Sequence, residues 1–422
     1  MKLLNHSLKA RILWLLASFF ALLIAAPLPG LHAQTSREES QSKTTWIQQD
    51  GQQKRLLEIR GKAEFNDDYT DIKSVTEGGW VIVEERTDRQ WFRYEVRRDP
   101  AGQITRAFYA NGTARPLDES AKSWLSKFVL EAVRQGGFDA EKRVHRILEQ
   151  RGVAGVLAEI NLISSDYAQR HYYEALIKQA SLDATALRDV LRQVARDISS
   201  DYEQAQLLIG VAPMVTGKDA AIQPFFDAVA TIKSDYERGR VLKTIMKQDT
   251  NSSAVLVLVA SSTQTISPDY ERRGVLSALV KTKNQSEEVL RLLLDSAAAM
   301  SSDYEKATLL MEVSNAYTGD TRFKGLFLKA VETIKSDYEH KRVLIALLKG
   351  TTPSREVLIQ TAKSAAGMSS DYEKATLLME VSNAYTGDTR LKGLFLKAVE
   401  TIKSDYERGR VLSALLKNKQ IG

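Results

Sequence analysis

The 422-residue chain contains no cysteine, and only 5 of its residues are histidines. Without cysteine it can form no disulfide, thiolate metal site or cysteine nucleophile, and it has no N-terminal cysteine to carry a lipid. The H-E-x-x-H zinc motif, the phosphate-binding P-loop and the G-x-S-x-G nucleophile motif are also missing. These absences predict a protein with no catalytic residues, no metal site and no cofactor.

An excess of charge of one sign is also missing. The 59 lysine and arginine residues nearly balance 53 acidic residues, which leaves a net charge of +6 at pH 7, and the two signs are interspersed along the chain. Nucleic-acid-binding proteins concentrate positive charge on one face or in one block. The sequence therefore predicts no nucleic-acid partner.

The N-terminal segment has the pattern of a secretory signal peptide. Lys2, Lys9 and Arg11 lead into the largely apolar run Ile12–Ala26, and a cut is predicted after Ala33. A run of 15 residues is shorter than the about 20 that a membrane-spanning helix needs. We therefore predict a signal peptide over 1–33 and an exported protein, periplasmic or extracellular. The alternative is an uncleaved, tilted anchor, the only case in which the chain would be tethered to a membrane.

The next two segments differ in periodicity. Residues 34–53 are polar and aperiodic, rich in Gln, Ser and Thr, which predicts a flexible leader. From 54 to 116 side-chain character alternates with a period of two, and Asn-Gly and similar turn signals separate the runs. This pattern predicts an antiparallel β-sheet domain of four or five strands. Trp80 and Trp91 are interpreted as core residues of this domain, with a ligand platform as the alternative.

Residues 117–163 change to the period of a helix. A first helix is predicted to end at Gly136-Gly137, since glycine is the preferred residue just after a helix. The segment that begins at Asp139 resembles, in degenerate form, the repeats that follow it. The region is predicted to be a helical connector and an N-terminal cap repeat, because terminal repeats are usually atypical.

An internal repeat occupies residues 164–422. The dipeptide Asp-Tyr recurs every 34 residues, after a first interval of 35. Each repeat holds two amphipathic helical segments that cannot bury their apolar faces alone, so neighbouring repeats must stack. The sequence thus predicts a mainly α protein, a right-handed α-solenoid of 34-residue helix pairs after the β domain. Its eight repeats, the last truncated, are numbered 1 to 8 by Asp166, Asp201, Asp235, Asp269, Asp303, Asp337, Asp371 and Asp405.

Each repeat begins with a helix-capping pattern, which in repeat 5 is Ser302-Asp303-Tyr304-Glu305. In a capping box the serine hydroxyl and the glutamate carboxylate bind each other's free backbone N–H groups, and Asp303 faces the positive end of the helix dipole. A ladder of metal-binding carboxylates is the alternative, but hard cations need more converging oxygens. Tyr304 and the equivalent tyrosines of the other repeats are predicted to pack between neighbouring repeats.

Positive residues lie three to five positions after the repeat aspartate. Equivalent positions align in a regular solenoid, so they would form a basic stripe able to bind an acidic peptide or glycan. The alternative, favoured by the near balance of charge, is that they pair with Asp and Glu on the same or adjacent helices. The stripe consists of Arg238, Arg240, Arg272, Arg273, Arg342, Arg408 and Arg410.

A 68-residue unit has been duplicated, because residues 301–339 and 369–407 are identical at all but one position. A unique catalytic centre gains nothing from such copying, whereas an extended surface gains length. We therefore expect a non-catalytic scaffold or sensing module whose partner is a protein or peptide. Two alternatives stay open: an envelope hydrolase that uses β-domain carboxylates, Glu84 or Glu85, and a purely structural spacer.

Two sequence blocks together resemble a known group of proteins. They are GKAEFNDDYTDIKSVTEGGWVIVEER at 61–86 and the repeat forms SSDYExAxLL and KSDYERxRVL. Over 56–422 the chain resembles exported bacterial α-solenoid proteins of tetratricopeptide-like or HEAT-like architecture. Similar segments are found with membrane-bound antirepressor zinc metallopeptidases of the β-lactam-sensor type. Because this sequence has neither their zinc motif nor their multi-span membrane region, the resemblance implies an extracytoplasmic sensing or interaction module and not a protease.

Overall fold

A computed structural model of the protein describes residues 34–39, 43–248, 252–282, 286–316, 324–350, 353–384 and 388–417. The predicted signal peptide lies outside these residues. The chain divides into two compact units, with the boundary after Phe138. No described helix is both long enough and apolar enough to cross a membrane.

The first unit contains an antiparallel sheet in which neighbouring strands are mostly neighbours in sequence. Seven strands pair in the order β1-β2-β3-β6-β7-β8-β9, and β4 and β5 form a separate two-stranded hairpin. The strands are β1 (Gln34–Glu39), β2 (Lys43–Asp50), β3 (Gln53–Arg60), β4 (Ala63–Phe65), β5 (Ile72–Val75), β6 (Trp80–Arg86), β7 (Trp91–Arg98), β8 (Ile104–Ala110) and β9 (Thr113–Arg115).

Helix α1 (Glu119–Gly136) contributes to the same hydrophobic core as the sheet. Its apolar stripe of Leu125, Phe128 and Val129 is buried together with Trp46 and other inward-facing strand residues. The rings of Trp46 and Phe128 meet edge to face with their centroids 6.0 Å apart, a favoured geometry for aromatic pairs. The sheet and α1 therefore form one domain.

Three predictions for this region need correction. The flexible leader over 34–53 is wrong for β1 and β2, since both pair into the sheet and Trp46 of β2 is 0% exposed. The helical connector predicted over 117–163 is divided between the two units, because its first helix, α1, belongs to the first unit and the second unit begins at Asp139. Trp80 and Trp91 are not core residues as predicted, since both side chains are only partly buried. The Arg97 guanidinium carbon is 6.0 Å from the ring centre of Trp80, and that of Arg86 is 5.2 Å from the ring centre of Trp91.

The second unit begins with α2 (Ala140–Ile160), which is interrupted at Gly152 by a left-handed φ of 63°. The repeats follow. Their first helices are α3 (Asp166–Gln179), α5 (Asp201–Val215), α7 (Asp235–Ile245), α9 (Asp269–Val280), α11 (Asp303–Ala316), α13 (Asp337–Gly350), α15 (Asp371–Asn383) and α17 (Asp405–Lys417). Their second helices are α4 (Ala184–Asp197), α6 (Asp219–Thr231), α8 (Ser253–Thr263), α10 (Glu287–Ala298), α12 (Lys324–Val331), α14 (Arg355–Gly367) and α16 (Thr389–Glu400).

Each first helix contacts the first helices of adjacent repeats, and most second helices contact the second helices of adjacent repeats. The surface between them is one continuous hydrophobic core that extends through the described repeats. In repeat 5 the apolar residues Ala307, Leu310 and Val313, which are spaced three apart along α11, are fully buried. The predicted fold, a helical solenoid after a small antiparallel β domain, is confirmed.

Candidate functional site: a row of exposed tyrosines

The repeat aspartates connect each repeat to the next one. Asp303 Oδ2 accepts hydrogen bonds from the backbone N–H groups of Lys335 at 3.0 Å and Ser336 at 2.8 Å, at the start of repeat 6. Equivalent bonds to the following repeat are made by Asp166, Asp201, Asp235, Asp269, Asp337 and Asp371. We call this arrangement the aspartate link.

The aspartate link changes the interpretation of the capping pattern. Ser302 Oγ does accept the Glu305 N–H at 3.3 Å, as predicted, but the Ser302 N–H is bound by Asp269 of the preceding repeat at 2.7 Å. In the last link, the N–H of Ser404 is the main cause that holds the pKa of the Asp371 carboxyl below its ordinary value. Hydrogen bonds accepted by an ionised carboxylate are stronger than those between neutral groups.

The tyrosines that follow these aspartates do not pack between repeats, so that prediction is wrong. In repeats 2 to 8 they are 52–74% exposed: Tyr202, Tyr236, Tyr270, Tyr304, Tyr338, Tyr372 and Tyr406. Tyr167 of repeat 1 is partly buried. Each lies in the first turn of its helix, where side chains tilt toward the helix N-terminus and so project past the end of the packed layer. The solenoid therefore presents a row of tyrosines along the N-terminal ends of its first helices.

Positive side chains lie between consecutive tyrosines in repeats 5 to 8. The Arg342 guanidinium is 6.0 Å from the ring centre of Tyr304 and 5.8 Å from that of Tyr338. The Lys341 ammonium is 4.9 Å from the Tyr338 ring and 5.9 Å from the Tyr372 ring. These distances are within the range of cation–π attraction.

Arg410 completes the pattern, at 5.8 Å from the Tyr372 ring and 5.9 Å from the Tyr406 ring. Four tyrosines and three cations thus alternate across four repeats. We call this set the tyrosine–cation ladder; in order it is Tyr304, Arg342, Tyr338, Lys341, Tyr372, Arg410 and Tyr406.

The glutamates of the Asp-Tyr-Glu triplets, here called the repeat glutamates, form ion pairs with these cations. Arg342 donates to Glu339 at 2.6 Å and Arg410 to Glu407 at 2.7 Å, within their own helices. Lys341 instead forms an ion pair at 2.5 Å with a glutamate of the next repeat, Glu373. Each of these carboxylates therefore has a cationic partner, and the four tyrosine side chains of the ladder are more than half exposed.

The predicted basic stripe is divided between two structural roles. Arginines three positions after the aspartate bind loop carbonyl groups: Arg238 binds Thr265 at 3.0 Å, Arg272 binds Ile266 at 2.8 Å and Arg408 binds Ile402 at 3.1 Å. The others bind repeat glutamates: Arg240 to Glu237, Arg273 to Glu305, Arg342 to Glu339 and Arg410 to Glu407. This arrangement favours the ion-pairing alternative over an open stripe for an acidic ligand.

Repeat 6 differs at the position of the loop-binding arginines. In repeats 5 and 7 a lysine there reaches a threonine carbonyl, for example Lys306 to Thr333 at 3.1 Å. Repeat 6 has His340 and, in place of the threonine, Gly367. A cleft of about 400 Å³ opens beside them. The His340 Nε2 atom is buried and has no hydrogen-bond partner in the described part of the chain.

Burial lowers the pKa of His340 below its ordinary value, although Asp337, Glu332 and Asp303 act in the opposite direction. The folded state therefore binds a proton less readily than the unfolded chain. Consequently stability is complete above the ordinary histidine pKa of 6.5 and falls as the pH drops below it.

We expect His340→Lys to raise the free energy of unfolding by about 1 kcal/mol at pH 7, because a lysine reaches the Gly367 carbonyl as Lys306 reaches Thr333. The gain should grow as the pH falls from about 7 to about 5. Thermal unfolding across this range measures it. His145→Lys is the control, since that histidine is 63% exposed. An unchanged pH dependence in His340→Lys would contradict the role assigned to His340.

The β-domain carboxylates considered for hydrolysis face opposite sides of β6, as successive strand residues do. Glu84 pairs with Arg93 at 3.1 Å. Glu85 accepts the Trp124 indole N–H at 2.8 Å and is also bound by Gln53. Both carboxylates have structural partners and they do not converge on one site. Among the described residues there is likewise no group of His, Asp and Glu side chains arranged to hold a metal ion.

The sequence held one signal for the exposed tyrosines that the prediction did not use. Each is flanked by acidic residues in Asp-Tyr-Glu at a helix start, a polar setting more typical of a surface than of a core. Comparison of the chain with protein-family models, with curated proteins and with solved structures finds no significant match.

Proposed function

We propose that the chain is a non-catalytic, exported repeat protein that acts as a scaffold or sensing module in the cell envelope and holds a protein or peptide partner on the tyrosine–cation ladder. The observation that carries the proposal is the exposure of the repeat tyrosines in register, 52–74% in repeats 2 to 8. Soluble proteins do not usually keep large aromatic groups in aligned exposed rows without a binding role.

The chemistry of the ladder suits protein recognition. Tyrosine offers a large apolar area, a hydroxyl and only two rotatable side-chain bonds, so it loses little conformational entropy on binding. Tyrosine and arginine are both enriched at the energetic centres of protein interfaces. The ladder residues occur on successive helices of a packed solenoid, which fixes their spacing before a partner arrives and lowers the entropic cost of association.

Export and a sensing role rest on the N-terminal sequence pattern and on the resemblance to segments that accompany β-lactam-sensor-type antirepressors. A cut after Ala33 would leave β1 intact, since that strand begins at Gln34. The proposed partner is a protein or peptide, no nucleic acid is involved, and the proposal requires no cofactor.

Photo-cross-linking in the native host tests the proposal. A photoreactive phenylalanine analogue replaces Tyr338 in the full chain, and the control carries it at Lys397, an exposed residue of α16. We expect a discrete protein adduct with the analogue at Tyr338 and none at Lys397. Adding Tyr304→Ala and Tyr372→Ala to the Tyr338 probe chain should lower the adduct yield several-fold, because the flanking rings are lost.

Two results would overturn the proposal. One is the absence of an adduct specific to Tyr338, which is what a purely structural spacer predicts. The other is an adduct whose yield does not respond to the flanking alanines, which would place the contact outside the ladder.

A further inference from the structure

We infer that the cleft between α12 and α14 binds an acidic peptide segment in an extended conformation. This cleft shares no residue with the tyrosine–cation ladder, so it is a second site, additional to the proposed function. The site is revealed by two equivalent junctions of the same chain. Positions that differ by 68 are equivalent in repeats 3–4 and repeats 5–6, as Asp235 and Asp303 are.

The junction between repeats 5 and 6 is open on the side of the second helices. In repeats 3 and 4, α8 and α10 pack against each other, whereas their counterparts α12 and α14 are barely in contact. Positions 292–294 of α10 are three buried leucines, and the equivalent positions 360–362 of α14 are Gln, Thr and Ala. The smaller apolar surface gives α14 less tendency to pack on its neighbour.

The cleft has two connected parts. A cavity of about 750 Å³ is lined by the N-terminal parts of α12 and α14, and the cleft of about 400 Å³ beside His340 lies toward their C-terminal ends. Glu332 and Gln360 line both parts, and Gln360 Nε2 donates to Glu332 at 2.6 Å. Arg355 and Lys363 line different parts and are eight residues apart on α14, which is about 12 Å along the helix.

The charge of this junction is reversed relative to its counterpart. Five positive and three negative residues line the two parts of the cleft, whereas the equivalent positions in repeats 3 and 4 hold one positive and four negative residues. Arg355 stands in place of Glu287, and Lys363 in place of Asp295. A cleft with an excess of one sign of charge attracts ligands of the opposite sign.

Most of the positive residues in the cleft have no ion-pair partner among the described residues. Arg355 is paired with Asp388 at 2.5 Å. The four without such a partner are Lys324, Lys329, Lys335 and Lys363. They occur in both parts of the cleft, so a single small anion would contact only some of them. A ligand with several anionic groups is therefore favoured.

An extended acidic peptide matches the length and the chemistry of the cleft. In an extended chain each residue rises about 3.3 Å and side chains alternate between two sides, so carboxylates four positions apart lie about 13 Å apart on one side. This agrees with the distance of about 12 Å between Arg355 and Lys363 along α14. Leu328 and Val357 add apolar surface in the larger part, and Gln360 adds an amide group. A peptide has apolar and hydrogen-bonding groups for both.

Other anions fit the cleft less well. Proteins that bind single-stranded nucleic acids stack the bases on aromatic side chains, and no Phe, Tyr or Trp is among the described residues that line the cleft. Inorganic phosphate would occupy one part only. An acidic glycan also has spaced carboxylates, but its hydroxyl groups do not match Leu328 and Val357. Phosphate and the glycan are therefore outcomes of the test.

Fluorescence anisotropy with the full chain tests the inference at about 50 mM salt, where charges are weakly screened. The probe is fluorescein-labelled Gly-Glu-Ala-Leu-Ala-Glu-Gly, which places both carboxylates and the leucine on one side of an extended chain. Its isomer Gly-Ala-Leu-Glu-Glu-Ala-Gly has the same composition and charge. We expect the spaced peptide to bind about fivefold more tightly than the isomer, since only its carboxylates reach both parts of the cleft.

Variants of exposed lysines locate the site. Lys363→Asp, which gives α14 the residue that α10 has, should weaken binding of the spaced peptide about tenfold, because an attraction becomes a repulsion. Lys329→Glu should act similarly. Lys397→Glu is the matched control, since Lys397 has the same surrounding sequence as Lys329 but lies on α16, outside the cleft. It should change binding less than about twofold. Unchanged circular dichroism shows that each variant is folded.

Equal binding of the two isomers, or no binding of either, would overturn the inference. So would binding that Lys363→Asp and Lys329→Glu leave unchanged. Unlabelled trigalacturonic acid and inorganic phosphate are added as competitors. If either displaces the probe at a lower concentration than the unlabelled spaced peptide does, the cleft is a site for a glycan or for a single anion. None of these results alters the expected adduct at Tyr338, so the two proposals can fail separately.

Discussion

Replacing Trp46 with alanine in the full chain is expected to lower the free energy of unfolding of the sheet unit by about 4 kcal/mol, because the change leaves a large cavity in a closed core. Trp46 is 0% exposed and packs against Phe128 of α1. Such a loss approaches the whole stability of a small domain. Urea unfolding followed by near-ultraviolet circular dichroism measures it, since every tryptophan in the chain lies at or before position 124.

Trp80→Ala is the matched control for this prediction. Trp80 is partly exposed and lies near Lys43 and Arg97 rather than in the core, so its removal should cost about 1 kcal/mol. If Trp46→Ala lowered the free energy of unfolding as little as Trp80→Ala, residues 43–50 would not be an integral strand of the sheet. The flexible leader predicted from their composition would then be correct.

Asp303→Ala is expected to weaken the contact between repeats 5 and 6 by about 3 kcal/mol, because two backbone N–H groups lose a charged acceptor. Asp303 accepts those of Lys335 and Ser336. Hydrogen exchange is the suitable measurement, since a repeat array need not unfold in a single step. Exchange at these two amides should accelerate about a hundredfold, as tenfold corresponds to about 1.4 kcal/mol.

The chain supplies its own control for the aspartate link. Asp405 has the same sequence context in repeat 8, but its side chain is 95% exposed, whereas that of Asp303 is 21% exposed. Asp405→Ala should therefore leave stability almost unchanged. Equal effects of Asp303→Ala and Asp405→Ala would show that the aspartates act only as local helix caps.

The helical repeats could be predicted because their physics is local. The 34-residue period, the serine cap and the apolar stripe of Ala307, Leu310 and Val313 all follow from sequence spacing, and the structure buries that stripe. Every described first helix begins at its repeat aspartate. These features depend on contacts within one helix and on the need of any amphipathic helix for a neighbour.

The candidate site could not be predicted in the same way. Tyr304 lies three residues before buried Ala307, so periodicity assigns it to the core, but a first-turn side chain points past the helix end. The acceptor of the Ser336 N–H is 33 residues away in sequence, and only the alignment of stacked repeats reveals it. The sequence pattern therefore predicted a glutamate of the same helix as the acceptor of the serine N–H, whereas the aspartate of the preceding repeat accepts it.

The β1 and β2 strands were missed for a compositional reason. Only one face of β2 is enclosed, with Trp46 and Gln48 buried and most other positions open or partly open. An edge region of a sheet can be polar on its outer face. The single tryptophan, alternating with threonine, isoleucine and glutamine, was too weak a signal against a polar background.

The ion pairs at the repeat glutamates also determine how such a chain can grow. From repeat 4 onward, the pairs alternate between adjacent repeats and within one helix: Arg273 with Glu305, Arg342 with Glu339, Lys341 with Glu373, and Arg410 with Glu407. Insertion of a single repeat would place two ion pairs of the same kind in succession, both between repeats or both within a helix. A glutamate or a cation would then lack its partner. Insertion of two repeats preserves the order of the ion pairs, and the unit duplicated in this chain has that length, 68 residues.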